Sequence, residues 1–136
     1  MKDVCVIIGS ESDKEQVEPG LKLLEERKIS YELHILSAHR NIDELLAFLA
    51  QNEKNFRLII ACAGLSAALP GVVAAKVKLP VIGVPLVAGP LSGLDALLAI
   101  VQLPKGVPVA TMGLGKQGII NAVLLAERIL ATPAGA

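Results

Sequence analysis

Aromatic side chains are almost absent from this sequence. Its 136 residues include no Trp, and the aromatic residues are Tyr31, Phe48 and Phe56. Few rings are therefore available to stack on nucleic-acid bases or to sandwich a flavin. Basic residues show no surplus either, because 13 Lys and Arg balance 13 Asp and Glu. A general nucleic-acid-binding protein is expected to carry such a surplus, so we expect no nucleic-acid partner.

Cysteine is also scarce. Cys5 and Cys62 both lie within apolar runs, which predicts two buried, reduced thiols and not a disulfide. No spacing of Cys and His is typical of a metal site, so we expect no metal. The apolar run after Met1 is too short for a signal peptide, and no stretch reaches the length of a membrane span. We therefore expect one soluble, cytoplasmic domain over residues 1–136, with no membrane partner.

Short apolar runs alternate with helical segments along the chain. The predicted strands cover residues 4–8, 31–36, 58–61, 81–84 and 107–112, and the predicted helices cover 12–28, 42–52, 72–76, 92–101 and 117–130. Ser12 with Glu15, and Asn41 with Glu44, match the capping-box pattern at two helix starts. Pro19-Gly20 predicts a kink or a late start in the first helix. The alternation predicts an α/β fold, a flavodoxin-like three-layer sandwich with a five-stranded parallel sheet.

The segment Ser-Ala-His-Arg at 37–40 lies between a predicted strand and a predicted helix. Such loops stand at the carboxyl ends of parallel strands, where ligands bind. An imidazole exchanges a proton near neutral pH, and a guanidinium binds anions through a fork of N–H donors. His39 is therefore a candidate acid or base and Arg40 a candidate anion ligand, although His39 can also serve only as a cap.

Loops after the first, third and fifth strands are rich in Gly, Ser and Ala. Small residues let backbone N–H groups approach a phosphate, and helix N-termini add positive potential. Ser10, Ser12 and Asp13 in the first of these loops fit phosphate or ribose binding and fit helix capping equally well.

Two familiar nucleotide and phosphate sites are excluded by the sequence. Residues 113–118 match the dinucleotide pattern G-x-G-x-x-G, but no strand and no acidic residue follow at the required distance. We predict instead that this loop turns the chain tightly into its last helix. A phosphoryl-accepting receiver needs an acidic residue at the end of the third strand, which here reads Ala-Cys-Ala at 61–63.

Several motifs, in order along the chain, resemble those of one enzyme family. They are Gly-Ser-Glu-Ser-Asp at 9–13, Ser-Ala-His-Arg at 37–40, Ala-Gly at 63–64, Leu-Pro-Gly at 69–71, Gly-Val-Pro at 83–85, Gly-Leu-Asp at 93–95 and Gln-Leu-Pro-Lys-Gly at 102–106. The chain resembles, over residues 4–130, the family of N5-carboxyaminoimidazole ribonucleotide mutase and the related aminoimidazole ribonucleotide carboxylase of purine biosynthesis.

The resemblance implies a reaction on a ribonucleotide monophosphate. A mutase moves a carboxylate from the exocyclic nitrogen of the aminoimidazole to ring carbon-4, through transient CO2. By resemblance, His39 is the general acid and base, and no metal or organic cofactor is needed. The substrate-binding positions that carry over from the family, or that lie in its matching loops, are Ser10, Asp13, Ser37, Arg40, Gly64 and Ser66.

The subclass stays open between two branches of the family. The mutase branch usually has His before Leu-Pro-Gly, whereas this chain has Ala68, and the CO2-dependent carboxylase branch has a similar loop with a Ser at the position of Ser66. The carboxylase branch usually carries Lys after the catalytic His, and this chain has Arg40. A catalytically silent nucleotide-binding homologue is the third alternative. Family members also usually continue into a further C-terminal helix.

Assembly is predicted from the fourth and fifth helices, which are apolar nearly all round. Residues 94–101 contain one charged side chain, Asp95. A helix on the face of a monomer's sheet should show an outer polar side. We therefore expect a homo-oligomer, and the family resemblance implies a homo-octamer.

Overall fold

The computed structural model describes residues 1–133, which form a parallel sheet flanked by helices on both faces. The strands are β1 (Val4–Ile8), β2 (Tyr31–Ile35), β3 (Leu58–Ala63), β4 (Val81–Pro85) and β5 (Ala110–Thr111). The helices are α1 (Lys14–Glu26), α2 (Ile42–Asn52), α3 (Leu69–Lys76), α4 (Leu94–Val101) and α5 (Gly115–Ala131), with 3-10 turns at Glu11–Asp13 and Glu53–Asn55. All strand pairs are parallel, in the order β2-β1-β3-β4-β5. The predicted fold class is confirmed.

The sheet separates two hydrophobic cores. One core joins α1 and α5 to one face of the sheet, and the other joins α2, α3 and α4 to the opposite face. Along β1, Cys5 and Ile7 enter one core while Val4, Val6 and Ile8 enter the other. A strand covered on both faces must be apolar throughout, which explains the continuous apolar runs in the sequence.

The two cysteines are buried and free, as predicted. Burial raises the pKa of the Cys5 thiol to about 12, with a smaller contribution from the negative charge of Glu32. Burial also raises the pKa of Cys62, which lies in β3 at the centre of the sheet. Thiols in such surroundings stay protonated and behave as small apolar groups. Among residues 1–133, no helix is long and apolar enough to cross a membrane.

The strand order creates a crevice at one edge of the sheet. The chain leaves β1 for β2 on one side and then continues through β3, β4 and β5 on the other side. The connections therefore diverge between β1 and β3, and ligands in open α/β sheets bind at the carboxyl ends of strands at such a point. The loops that follow β1, β2, β3 and β4 meet there.

Several predicted boundaries need correction. The predicted Ser12 cap is wrong, because a 3-10 turn capped by Ser10 precedes α1, which begins at Lys14. α1 continues through Pro19, where a kink or late start was expected. The fourth helix, predicted over 92–101, begins at Leu94. The last strand, predicted over 107–112, is reduced to Ala110–Thr111 at the sheet edge. Pro108 has no N–H to donate to a ladder, which shortens this strand.

The third helix begins earlier than predicted, at Leu69 and not at residue 72. Pro70 stands in its first turn, where the missing N–H has no intrahelical partner to lose. The preceding strand β3 is longer than predicted and ends at Ala63. The loop between β3 and α3 therefore comprises residues 64–68, which brings it directly over the carboxyl edge of the sheet.

Candidate active site

A cavity of about 420 Å³ opens at the carboxyl edge of the sheet. Its walls come from the loops after β1, β2, β3 and β4, and its lining residues are Gly9, Ser10, Ser12, Asp13, Ser37, Ala38, His39, Arg40, Ala63, Gly64, Leu65, Ser66, Ala68, Leu69 and Ala88. All seven residues predicted for the site, from Ser10 to Ser66, line this one cavity. Its volume lies in the range that is usual for small-molecule sites.

The backbone of the loop between β2 and α2 is held by side chains of the loop itself. The Ser37 hydroxyl oxygen accepts hydrogen bonds from the backbone N–H groups of His39 (3.2 Å) and Arg40 (3.1 Å). The Ser37 N–H in turn donates to Oδ1 of Asn41 at 2.7 Å. Asn41 stands at the N-cap position of α2, as predicted, but its side chain makes no capping hydrogen bond to the helix backbone, and α2 begins at Ile42. The turn fixes the backbone and leaves the His39 and Arg40 side chains unused.

The His39 and Arg40 side chains are exposed at the cavity and available to a ligand. Neither forms a hydrogen bond or an ion pair within residues 1–133. His39 therefore caps nothing in this part of the chain. The other imidazole, His34 on β2, is already engaged: its Nε2 lies 2.9 Å from Oε1 of Glu32, and its ring centroid lies 4.4 Å from that of Phe48. Of the two imidazoles, His39 is thus the one that lines the cavity and has no partner within residues 1–133.

Asp13, in the segment after β1, is the acidic residue among those that line the cavity. Burial raises the pKa of its carboxyl group, while hydrogen bonds to the backbone at Ser10 and Gly9 and the positive charge of Arg40 act to lower it. Asp13 and Arg40 line the same cavity and carry opposite charges. A carboxylate accepts hydrogen bonds from hydroxyl groups, and a guanidinium donates to an anion.

The serines of the loop after β1 were predicted either to cap a helix or to bind a ligand, and the structure shows the first of these roles for Ser10. Ser10 does cap the 3-10 turn, because its hydroxyl oxygen accepts from the Ser12 N–H at 3.3 Å. The two serine hydroxyls also lie 2.9 Å apart. Both serines still line the cavity, so local capping and contact with a ligand are compatible here.

The cavity lining that follows β3 and β4 consists mainly of small residues, together with Leu65 and Leu69. A Cβ atom built on Gly64 would lie 3.1 Å from Cβ of Ala88, which shows how closely the two loops pack. Leu65 adopts a left-handed backbone conformation with φ 55°. Sequence reasoning did not select Ala88, although the small residues that follow β4 were a usable signal. Among residues 1–133, no group of three or more His, Cys, Asp or Glu side chains is placed to hold a metal ion.

The Gly-rich segment at 113–118 lies outside the cavity lining, and its last four residues already belong to α5, which begins at Gly115 and not at residue 117 as predicted. Gly113 and Gly115 have φ of 125° and 58°, and a Cβ atom on Gly118 would overlap the carbonyl group of Gly113. These values confirm the prediction that the loop turns the chain tightly into its last helix, α5.

Comparison with known proteins decides the family. A family profile described as AIR carboxylase matches residues 3–135. The chain belongs to the AIR carboxylase family. Family relatives include the N5-carboxyaminoimidazole ribonucleotide mutase of Brucella melitensis, which is 48% identical over 130 residues, or 95% of this chain and 80% of the relative. The enzyme of the same name from Haemophilus influenzae is 45% identical over 129 residues, or 94% of this chain and 79% of the relative.

A solved structure of a family relative has the same fold. The crystal structure of Treponema denticola PurE superimposes with a TM-score of 0.83 at 32% sequence identity, covering 94% of this chain and 79% of that chain. The family resemblance inferred from the ordered motifs is thereby confirmed. The individual roles of the seven site residues in this AIR carboxylase family member remain predictions.

Proposed function

We propose that this chain is an N5-carboxyaminoimidazole ribonucleotide mutase of purine biosynthesis. Relatives that carry this name are 44–48% identical to it over nearly the whole chain. The observation that carries the proposal is the pairing of an unengaged imidazole with an unengaged guanidinium, His39 and Arg40, at the mouth of a cavity of small-molecule size.

The proposed reaction uses one imidazole twice. Protonated His39 gives its proton to the exocyclic nitrogen as the bond from nitrogen to the carboxylate carbon breaks and CO2 is released. Carbon-4 of the ring then attacks CO2, and the new carbon–carbon bond forms. Neutral His39 removes the proton that carbon-4 carried, which regenerates the imidazolium. No proton is gained or lost overall, so one group that acts first as acid and then as base is sufficient.

Substrate binding follows from the charges around the cavity. Arg40 suits the phosphate group, because a guanidinium makes charge-assisted hydrogen bonds with phosphate oxygens. Asp13 and Ser10 suit the ribose hydroxyls. Ser37, Gly64 and Ser66 complete the lining, and the small residues after β3 and β4 allow the ring and transient CO2 to stay close together, which favours recapture over escape.

Two variants test these roles separately. His39→Asn should lower turnover by about 10²–10⁴-fold, the usual contribution of a general acid or base, and leave the Kd of the substrate within about tenfold. Arg40→Ala should instead weaken substrate binding by about 10–150-fold, since a charge-assisted hydrogen bond contributes about 1.5–3 kcal/mol. His34→Asn is the matched control, because that imidazole lies outside the cavity lining and should leave turnover unchanged. If His39→Asn turned over substrate as fast as the parent protein does, the proposed mechanism would be refuted.

The CO2-dependent carboxylase is the second candidate, favoured by the presence of Ser66 and Ala68 in the cavity lining. Purified protein should be given either the N5-carboxylated ribonucleotide alone or aminoimidazole ribonucleotide with bicarbonate. Turnover of the first substrate alone supports the mutase, and turnover only of the second supports the carboxylase. Failure with both would indicate a catalytically silent homologue. Ala68→His should shift the balance toward the mutase if that position sets the difference.

We also propose a homo-oligomer, with eight copies as the family resemblance implies, in the cytoplasm. The helix α4 and the segment before it leave five large apolar side chains exposed: Val87, Leu91, Leu94, Leu98 and Val101. Soluble monomers rarely expose a contiguous patch of this kind, and symmetric self-association is the commonest way to cover one. Light scattering at micromolar concentration tests the assembly, and a monomeric mass would refute it. Free buried cysteines fit a reducing compartment.

A further inference from the structure

Gln16 on α1 holds the backbone of a distant loop. Its Nε2 donates to the carbonyl oxygen of Val87 at 2.9 Å, and the Val87 N–H donates to its Oε1 at 2.9 Å. The two residues are 71 positions apart in sequence. The side-chain amide of Gln16 thus pairs with the backbone of Val87 through both its N–H and its oxygen. Two such bonds fix both the distance between Val87 and α1 and the orientation of the Val87 backbone.

The loop that Gln16 holds forms part of the cavity wall. The N–H of Leu86 donates to the carbonyl of Ala63 at 2.9 Å and extends the pairing of β3 with β4 by one step. Beyond that point, the backbone hydrogen bonds of residues 87–92 within the described chain are local, from Ser92 N–H to the Gly89 carbonyl and from Leu94 N–H to the Leu91 carbonyl, apart from the pair with Gln16. Ala88 follows immediately and lines the cavity against Gly64. Gln16 is therefore the tether that sets the position of Ala88.

The tether also joins two segments that adjoin the cavity. Gln16 lies on α1, three residues after Asp13, and Asp13 lines the cavity. Val87 directly precedes Ala88, which lines the cavity from the loop after β4, and β3 lies between β1 and β4 in the sheet. The hydrogen-bonded pair therefore connects the segments that follow β1 and β4, beside the start of α5 at Gly115.

We propose that Gln16 is a positioning residue that sets the width of the cavity for the ribonucleotide, an inference that rests on the proposed function. Loss of the tether should let the loop after β4 move away from Gly64, which weakens contacts to bound substrate. The effect should fall mainly on KM, because Gln16 itself does not line the cavity and touches no reacting group.

The test compares Gln16→Met with Gln51→Met. Met has a similar length but cannot reproduce the hydrogen bonds, and Gln51 is an exposed residue of α2, distant from the cavity lining. Gln16→Met should raise KM for the N5-carboxylated ribonucleotide about three- to tenfold, with a smaller change in kcat, because both hydrogen bonds to the loop after β4 are lost. Deuterium exchange at the Val87 amide should accelerate, and Gln51→Met should change neither quantity.

A second variant separates positioning from folding. Gln16→Glu keeps the acceptor for the Val87 N–H but sets a carboxylate oxygen against the Val87 carbonyl, so its KM should also rise. Parental KM in both variants, or unchanged exchange at Val87, would overturn the proposal. A lowered Tm with parental KM would overturn it too, since that result indicates a purely structural role. If the parent protein itself turns over no ribonucleotide, the proposed function fails, while exchange at Val87 still decides whether Gln16 holds the wall.

Discussion

Gly20 lies where α1 packs against α5, and a single added methyl group there should destabilise the protein. A Cβ atom built at this position would overlap Cγ1 of Ile119 and lie 3.3 Å from its Cδ1 and 3.4 Å from its Cβ. Ile119 is 1% exposed, so its side chain cannot turn toward solvent to make room. Gly20→Ala must therefore push α1 and α5 apart or force Ile119 out of its rotamer.

Two opposing effects set the size of the change. Ala in place of Gly within a helix normally stabilises it by about 1 kcal/mol. Overpacking a close-packed core costs about 1–3 kcal/mol, so we expect a net loss of up to about 2 kcal/mol in the free energy of unfolding. Ile119→Ala removes the overlapping atoms and on its own should cost about 2–5 kcal/mol through the cavity it leaves. Combined with Gly20→Ala, it should cost less than the sum of the two single changes, because the new methyl group partly fills that cavity.

The assay is urea unfolding of the parent, both single variants and the double variant at one fixed protein concentration, since assembly would make stability concentration-dependent. We expect a coupling free energy of about 1–3 kcal/mol in favour of the double variant, as for residues in direct contact. Ala47→Gly on the exposed side of α2 measures the helix-propensity contribution within the same protein. A Gly20→Ala variant stabilised by the full propensity difference, with no coupling to Ile119, would refute this account of the helix contact.

Two further predictions concern assembly and pH. Leu98→Glu should change the free energy of unfolding of an isolated chain by no more than about 0.5 kcal/mol, since Leu98 is 55% exposed there. It should nevertheless dissociate an oligomer that buries this side chain. An unchanged mass by light scattering would contradict the proposed interface. Asp13→Asn should raise Tm slightly at pH 7, because burial raises the pKa of Asp13 and so disfavours its ionised form in the folded protein. It should also weaken substrate binding, because the carboxylate is lost. In the parent, folding stability falls as pH rises through the raised pKa of Asp13, because the partly buried carboxyl group then ionises. The advantage of Asn should therefore vanish below the ordinary pKa of 3.8, which thermal melts at several pH values can measure. A pH-independent difference would contradict that sign.

The strands were predictable where both faces of the sheet are covered. β1 has the predicted bounds, Val4–Ile8, because a strand between two cores must be apolar at every position. The edge strand β5 was overpredicted, since its apolar run is interrupted by Pro108 and few of its residues pair with β4. The pattern of apolar residues indicates which positions are buried. How many of those residues form a strand depends on hydrogen bonding to a neighbouring strand, which the pattern does not show.

The helix caps show the limit of local patterns. Ser12 and Asn41 both stand at the expected spacing before an acidic residue, yet neither caps its helix. The Asn41 side chain accepts from the Ser37 N–H on the preceding loop, and the Ser12 hydroxyl lies 2.9 Å from the Ser10 hydroxyl. A polar side chain with two local partners within reach takes the one that the loop geometry favours, which the sequence pattern does not specify.

The residues lining the site were predictable because carboxyl ends of parallel strands converge, but the contacts between its walls were not. Each predicted residue follows a strand closely, so the fold class alone brings them together. Gln16 and Val87 are 71 residues apart, and their pairing depends on how far α1 and the loop after β4 extend past the end of β3. No local pattern in the sequence indicates how close these two segments come.

The hydrogen bonds inside the cavity distinguish groups that shape it from groups that are available to a substrate. The Ser37 oxygen already accepts two N–H groups, so its remaining capacity is the hydroxyl proton, which can be donated to an anionic or carbonyl oxygen. The polar atoms of Gln16 and Asn41 are occupied within the protein, which suits them to fixing backbone. The side chains of His39 and Arg40 form no hydrogen bond within residues 1–133. The loop backbone is therefore held without those two side chains, which leaves both available to a bound ligand.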